Sequence, residues 1–435
     1  MNLAGLSLDN IPPIGTPLRF FLVAPVFGIL AGILLIGYPE LLTNRWLPAT
    51  FAFTHLLTLG VGAMVMLGAL FQVLPVVSGR AVPGDQVIAP WVYWGLVWGT
   101  LTLTIGFLTS WGWLFGLAAF LLASGFGLFV GAFGAGLVRA HPVGDTTATL
   151  RLAALSLVAT LVLGGIQLSL HLWPEAGLYQ SHQTQLHALV GGFGWVLLLV
   201  MGVSFQVIPM FHVAPAFPHW VCRRLTLVVF VTNAAVLLAG QSVAVYALPV
   251  TMVATILYAT EALKVLMARK RKLVDYTVRF WQLGLSQLIA ASLLALGLIF
   301  TEVDAWRAPV ELLLGLVFAL GFALSVMLGM LQKIVPFLIF LHLQRMTLAN
   351  PQAAMVKLPH MKALIPTERS RWQYRLQLLL LPCIYLAPWT PWMAVIAGLL
   401  LVAAFGWLSY CLWGAWHQFQ LVAAQLCRPA MPASE

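Results

Sequence analysis

Charged residues are scarce in this chain, and their scarcity excludes an ordinary soluble domain. Only 8% of the 435 residues are Asp, Glu, Lys or Arg, whereas soluble domains are about 25% charged. Hydrophobic residues make up 61%, and apolar runs recur from end to end. The sequence therefore predicts an all-α polytopic membrane protein, in which residues 1–435 form one integral domain with the lipid bilayer as its main partner.

Cysteines and acidic residues are also few. The four cysteines (Cys222, Cys383, Cys411 and Cys427) are scattered without a CxxC motif, which disfavours a metal–thiolate site or a disulfide framework. The net charge is +10, but the cations collect in alternate loops, which indicates membrane topology and not nucleic-acid binding. The N-terminal segment lacks the charged start and cleavage site of a signal peptide, so the first span is expected to be retained.

Twelve spans of about 20 residues or more are predicted. They are roughly 18–38, 48–77, 88–109, 112–138, 150–173, 184–211, 223–241, 243–266, 279–301, 309–342, 374–390 and 392–416. Cations concentrate in loops that follow even-numbered spans, above all between Lys264 and Arg279 and between Arg345 and Arg375, whereas Glu40, Glu175 and Glu302 lie in the other loops. The positive-inside rule then predicts a multi-pass protein of a bacterial inner membrane with both termini in the cytoplasm.

One pattern occurs three times. Gly60, Gly68 and Pro75 have spacings of 8 and 7, and Gly194, Gly202, Pro209 and Gly321, Gly329, Pro336 repeat them 134 and 127 residues later. Each period holds about four spans, so the pattern predicts three repeated four-helix units, approximately 18–138, 150–266 and 279–416, with pseudo-threefold symmetry. Glycines eight residues apart share a helix face, which lets a neighbouring backbone or a flat ligand approach closely.

Four histidines are expected at one membrane depth near the outer face. His55 and His187 lie inside the second and sixth spans, 20 and 22 residues before the repeat proline. His171 closes the fifth span and His182 opens the sixth. Imidazole is the usual nitrogen ligand of haem iron, copper and zinc, so all four are candidate metal ligands.

Two interpretations of the histidines and glycines stay open. The functional interpretation is that His55 and His187 hold a b-type haem or a copper ion, with Gly60, Gly68, Gly194 and Gly202 facing the cofactor. The structural interpretation is that both histidines are buried polar groups bonded to neighbouring helices, and that the glycines serve helix packing.

Other polar residues are expected to have structural roles. Gln72, Gln206 and Lys333 lie three residues before the repeat prolines, where they could bond carbonyls freed by the proline or cap a polar channel. The remaining histidines are expected to be solvated in or beside inner loops: His141, His212, His219, His342, His360 and His417.

Segments 54–79 and 186–211 resemble the second and sixth helices of the haem-copper oxidase subunit I superfamily, whose members have twelve helices in three arcs. The chain is also similar to NnrS-type haem- and copper-associated membrane proteins, which are linked to nitric oxide metabolism. The resemblance implies that His55 corresponds to an axial ligand of the low-spin haem. It places His187 in the region of a copper ligand.

The chain departs from the oxidase pattern at three places. The tenth span has no histidine in its membrane portion, the seventh has no histidine pair, and Gly191 stands where the family has a tyrosine one turn after the sixth-helix histidine. The usual oxygen-reducing centre is therefore incomplete.

The function predicted from the sequence is an oxidase-like membrane protein that binds haem b or copper in a respiratory, nitric oxide or haem-copper supply context. Other respiratory membrane subunits are its expected protein partners. Two alternatives remain open: a divergent respiratory oxidoreductase subunit, which would be an enzyme, and a membrane transporter.

Overall fold

A computed structural model describes residues 11–79, 82–140, 144–172, 181–301, 304–350 and 356–427, and the predicted acidic loop residues Glu175 and Glu302, together with His141, lie outside these ranges. Twelve main helices follow one another: α1 Gly15–Gly37, α2 Pro48–Val77, α3 Asp85–Thr109, α4 Gly112–Arg139, α5 Asp145–Leu172, α6 His182–His212, α7 Val221–Ala239, α8 Ser242–Met267, α9 Tyr276–Phe300, α10 Trp306–Ala349, α11 Thr367–Leu386 and α12 Pro391–Leu426. Short helical turns Pro39–Leu42 and Met361–Leu364 lie between them. Within the described ranges the predicted all-helical fold is confirmed, with eleven helices long and apolar enough to cross a membrane.

Helix α11 differs from the span predicted at 374–390. Eleven of the twelve helices are long and apolar enough to cross a membrane, and α11 is the exception among the described residues. It begins at Thr367 and carries Glu368, Arg369, Arg371 and Arg375 near its start. Its uncharged part is therefore only ~16 Å long against a hydrocarbon core of about 30 Å. An odd number of crossings would separate the two termini, so their shared cytoplasmic location stays a prediction.

Three helices form the centre of the bundle. In their most apolar windows, α2 and α10 are 72% buried within the protein and α6 is 67% buried, whereas α5 is only 17% buried. These three are the helices that carry the repeated glycine and proline pattern. The bilayer-facing helices therefore surround a core made of the repeat helices.

The repeated glycines lie against the helix that precedes their own. A methyl group added at Gly60 would overlap Phe27 of α1, and one at Gly68 would lie 2.8 Å from Phe20 Cβ. In the predicted second unit, Gly194 and Gly202 face Ser156 and Thr149 of α5. In the predicted third unit, Gly321 and Gly329 face Gln287 and Phe280 of α9, and Gly321 also meets the Tyr385 hydroxyl of α11. The contacted residues are themselves seven apart in each pair, as expected for two helices that run side by side.

Each central helix also contains an eight-residue π-helical segment. The segments are Leu56–Ala63, Val190–Leu197 and Val317–Leu324. They share the 134- and 127-residue offsets of the glycine pattern, and the first repeat glycine is the fifth residue of each. The third segment contacts both of the others. Because π-helical turns are rare and frequently accompany functional sites, their recurrence marks this level of the bundle as a candidate site.

The outer helices have a regular order of contacts. Helices α3 and α4, α7 and α8, and α11 and α12 pack as sequential pairs. The last helix of each predicted unit then packs against the first helix of the next: α4 on α5, α8 on α9, and α12 on α1. The α1–α12 contact is close because Gly32 and Gly398 face each other. A Cβ atom added to either glycine would lie 2.8 Å from the carbonyl oxygen of the other.

Candidate metal centre

His55 is the last residue before the π-helical segment of α2. Its Nδ1 lies 2.8 Å from the Phe51 carbonyl oxygen one turn earlier. The ring also lies against Phe107 of α3, with centroids 5.5 Å apart. The side chain is half-buried, so its orientation is determined by its own helix and by one aromatic neighbour.

His187 lies three residues before the π-helical segment of α6. Its Nδ1 is 3.1 Å from the Thr160 carbonyl oxygen of α5. The ring fits against the same helix at Gly164, where an added methyl group would lie 3.1 Å from His187 Cε1. A residue with a side chain at position 164 would therefore press on the ring, which explains the need for a small residue there.

The two imidazoles lie opposite each other. Their centroids are 6.4 Å apart and their planes are inclined by 20°. This separation exceeds that of rings in face-to-face contact. An imidazole centroid lies about 3 Å from a metal bound by its nitrogen at about 2.0 Å, so two ligands on opposite sides of one ion have centroids about 6 Å apart. The observed spacing is close to that value.

Both histidines present the same free nitrogen. A carbonyl oxygen can only accept a hydrogen bond, so Nδ1 of each neutral ring must donate the proton. Nε2 then carries the lone pair, which is the tautomer required for metal ligation. A backbone carbonyl on the non-ligating nitrogen is also the usual way in which metal-binding histidines are oriented. Each ring therefore keeps its Nε2 lone pair for a further partner, while its Nδ1 stays bonded to the backbone.

The other two candidate ligands do not join the pair. His171 lies on the far side of Phe107, with those two rings 5.8 Å apart, and its Nδ1 is 3.0 Å from the Gln167 carbonyl oxygen. His182 precedes His187 by five residues, which places it ~7.5 Å along α6 and about 140° around it. Across the described ranges, no three or more His, Cys, Asp or Glu side chains form a group that could hold a metal ion.

The glycines do not open toward the histidine pair. The space left by the missing side chains of Gly60, Gly68, Gly194 and Gly202 is filled by Phe27, Phe20, Ser156 and Thr149 respectively. These contacts match the helix-packing interpretation of the pattern. Contact between a cofactor and these glycines stays a prediction that this geometry does not support.

A second polar cluster lies between the C-terminal end of α6 and the middle of α10. Lys333 Nζ donates to Asp275 Oδ2 at 2.8 Å, a partner that the sequence analysis did not identify. Asp275 also accepts from the backbone N–H and hydroxyl of Thr277 at 2.9 and 2.6 Å. Burial alone would raise the pKa of Asp275, but Lys333 and these hydrogen bonds outweigh it and hold the pKa at about 2.

Two histidines predicted to be solvated are buried. His212 is 3% exposed and His342 is 9% exposed. His342 is bonded to the carbonyl oxygens of Leu338 and Pro12 at 2.9 and 3.1 Å. The prediction failed because loops from distant parts of the chain cover these helix ends, which local hydropathy does not reveal. His219, His360 and His417 are exposed as predicted.

Comparison of the sequence with models of protein families and with curated proteins gives no match.

Proposed function

We propose that this protein holds one redox metal centre between His55 and His187, as haem b or as copper. The observation that supports it is the facing pair itself: two imidazoles from different central helices, 6.4 Å apart, with Nδ1 of each bonded to a backbone carbonyl. Such a centre would accept and return a single electron inside the membrane. Without it, the two half-buried imidazoles would be hydrogen-bonded through Nδ1 alone.

We also infer that the scaffold is a pseudo-threefold array of three four-helix units. Three observations support this inference: each central helix packs through its glycines on the preceding helix, each carries a π-helical segment at the same offset, and each unit's last helix contacts the next unit's first. In such an array, α2 and α6 are equivalent helices at the axis. Equivalent helices bring similarly placed side chains together, which accounts for the approach of His55 and His187.

The surroundings of the pair fit an ion more readily than a large macrocycle. Either centre can use the two Nε2 atoms, and copper(I) accepts two imidazoles. A haem also needs a flat space around the line between the ligands, yet the glycines expected to provide it are closed by side chains, and Phe107 and Gly164 already contact the rings. Haem would therefore require movement of these neighbours, whereas a single ion has no macrocycle to accommodate.

The wider context rests on the resemblance to oxidase-like and NnrS-type proteins. It suggests respiration, nitric oxide metabolism or haem-copper supply, with other respiratory membrane subunits as partners. A divergent respiratory oxidoreductase remains the second candidate, because the same two ligands would suit an electron-transfer subunit. Transport has less support. Glu311 is the one carboxylate within the described central helices, and Arg45 and Arg307 neutralise it at 3.0 and 3.2 Å.

The test is the visible spectrum and metal content of the purified full chain. Wild-type protein from haem- and copper-replete cells should show either a Soret band or about one copper per chain. His55→Ala and His187→Ala should each abolish or markedly shift that signal, because loss of one ligand halves the nitrogen donors. Insertion into the membrane should survive, since each change removes a polar side chain from a span.

Two further variants serve as controls. His171→Ala tests a histidine at similar depth that Phe107 separates from the pair, and His417→Ala tests an exposed histidine elsewhere. Both should leave the signal unchanged. Absence of haem and of copper in the replete wild type, or equal loss in all four variants, would overturn the proposal.

A further inference from the structure

A basic cavity lies away from the histidine pair, between the end of α6 and the middle of α10. Its volume is about 130 Å³, whereas a single water needs only about 10–15 Å³ by the same measure. The polar residues that line it include His212, Arg269, Arg271, Asp275, Lys333 and Lys362. They come from the end of α6, the loop before α9, the middle of α10 and the turn before α11. By the distribution of cations, this end of the bundle is predicted to face the cytoplasm.

The cavity carries an excess of positive charge. Lys333 is paired with Asp275, the one carboxylate in its lining. Arg269, Arg271 and Lys362 form no ion pair with any carboxylate in the described part of the chain. Three cations thus surround a space whose only negative charge is already neutralised, and such a space favours an anion.

Two buried groups in the cavity lack hydrogen-bond partners. His212 is 3% exposed, and neither of its ring nitrogens has a partner; its nearest charged atom, Asp275 Oδ2, is 3.9 Å away. Arg269 Nε is buried and unpartnered as well, and its Nη1 makes only a long contact, 3.4 Å, to the Leu266 carbonyl oxygen. Buried donors without acceptors are costly, so this arrangement indicates a bound acceptor group.

The backbone beside His212 is strained in a way that fits a built site. Val213 has φ of +53°, which a β-branched residue rarely adopts. Its carbonyl oxygen accepts a hydrogen bond from the Lys270 N–H at 3.0 Å, which ties the cationic loop to the end of α6. Strain of this kind persists where surrounding contacts impose it, and it clusters at ligand sites.

We propose that the basic cavity binds a phosphate group, held by Arg269, Arg271 and Lys362 with His212 as an additional donor. Guanidinium and ammonium groups are the common phosphate partners in proteins. Basic pockets between membrane helices on the cytoplasmic side take lipid phosphates, and inorganic phosphate has the same recognition chemistry. Gln332 Oε1, which is buried and unpartnered, is placed at the same cavity to accept from a protonated phosphate oxygen.

The test uses the purified full chain and two phosphate sources. In detergent, inorganic phosphate is titrated at constant ionic strength, with chloride as the reference, and thermal unfolding is followed. In nanodiscs of phosphatidylcholine with or without phosphatidylglycerol, retained lipid is counted by native mass spectrometry. Arg269→Gln should weaken the effective ligand affinity about tenfold or more, because it removes a charged donor. Lys333→Gln should weaken it as well, because it leaves the Asp275 carboxylate unneutralised beside the phosphate.

Lys272→Gln is the matched control. It removes one cation from the same loop, but Lys272 is exposed and bonded to the Met267 carbonyl oxygen, outside the cavity. Stabilisation by inorganic phosphate alone identifies free phosphate as the ligand, and retention of phosphatidylglycerol alone identifies lipid. If Lys333→Gln fails to fold because Asp275 loses its partner, Arg269→Gln decides the result. No response in either arm, or an equal loss in Lys272→Gln, would overturn the proposal.

Discussion

The repeated glycines allow a graded test of how the central helices are held. Gly68 and Gly202 belong to the repeated pattern, and Gly134 of α4 serves for comparison. The three positions differ in which atoms an added methyl group would contact. At Gly68 the nearest atoms are Phe20 Cβ at 2.8 Å, Phe21 Cε1 at 3.0 Å and the Pro17 carbonyl oxygen at 3.2 Å. The first and the last of these cannot move without moving α1. At Gly202 the nearest atom is Thr149 Cβ at 3.2 Å, and at Gly134 nothing lies within 4 Å. Alanine substitution at the three positions should therefore have three different effects.

The magnitudes follow from two opposing contributions to the free energy of unfolding. Alanine is favoured over glycine in a helix by about 1 kcal/mol, and overpacking of a tight contact costs about 1–3 kcal/mol. Gly134→Ala should thus be neutral or stabilising by up to about 1 kcal/mol. Gly202→Ala should be near neutral, since Thr149 must yield by only a few tenths of an ångström. Gly68→Ala should be destabilising by up to about 2 kcal/mol, the overpacking cost less the helix-propensity gain.

The assay is thermal unfolding of each full-length variant in the same detergent, together with its absorption spectrum and metal content. The expected order of apparent Tm is Gly134→Ala, then Gly202→Ala, then Gly68→Ala. A Gly68→Ala protein as stable as Gly134→Ala would refute the assignment of these glycines to helix contact. If that variant kept its Tm but lost its metal or haem, the glycine would face a cofactor instead.

Two further predictions concern buried polar groups. Gln72 is 5% exposed, and neither the oxygen nor the nitrogen of its side-chain amide has a hydrogen-bond partner. Gln72→Leu should therefore raise the free energy of unfolding by about 1 kcal/mol or more. The control is Gln206→Leu at a half-buried position, and a lower Tm for Gln72→Leu would show that the amide has a partner. Asp275, whose pKa is held at about 2, is expected to be ionised in the native state at pH values where an unfolded aspartate is protonated. Because its pKa is lower in the native state than in the unfolded state, Asp275 adds about 2 kcal/mol to the free energy of unfolding at pH values above the unfolded pKa of about 3.9. This stabilisation is lost as the pH falls toward 2. Acid unfolding of wild type and Lys333→Gln should therefore differ in slope between about pH 4 and pH 2, and identical slopes would contradict the pairing.

The central helices could be predicted from the sequence because their constraints are local. A glycine that must admit another helix leaves a recognisable spacing in the sequence, so Gly60, Gly194 and Gly321 singled out α2, α6 and α10. Their high burial follows from that role. The π-helical segments were not predicted, since no residue type specifies them; they depend on how each helix satisfies its backbone bonds within the assembled bundle.

Side-chain partners were harder to predict than positions. His55 and His187 were selected by depth, and the structure brings them together, but depth also selected His171, which Phe107 separates from them. The same limit applies to Lys333, whose partner Asp275 is 58 residues away along the chain. Hydropathy gives the depth of a residue in the membrane, whereas the direction of its side chain depends on neighbours distant in sequence.

Differences between the three copies show how one scaffold can serve two polar sites. The glycines and prolines, which determine how helices meet, are present in all three. The first two copies carry histidines before the π-helical segment, where the third has none within its span. The third copy instead carries Lys333 where the others carry Gln72 and Gln206. The polar residues of both sites therefore stand at positions where the three copies of the pattern differ. The histidine pair comes from α2 and α6, and the basic cavity is lined by residues of α6 and α10. Helix α6 contributes to both through His187 and His212, so a rotation of α6 that moved one site would move the other.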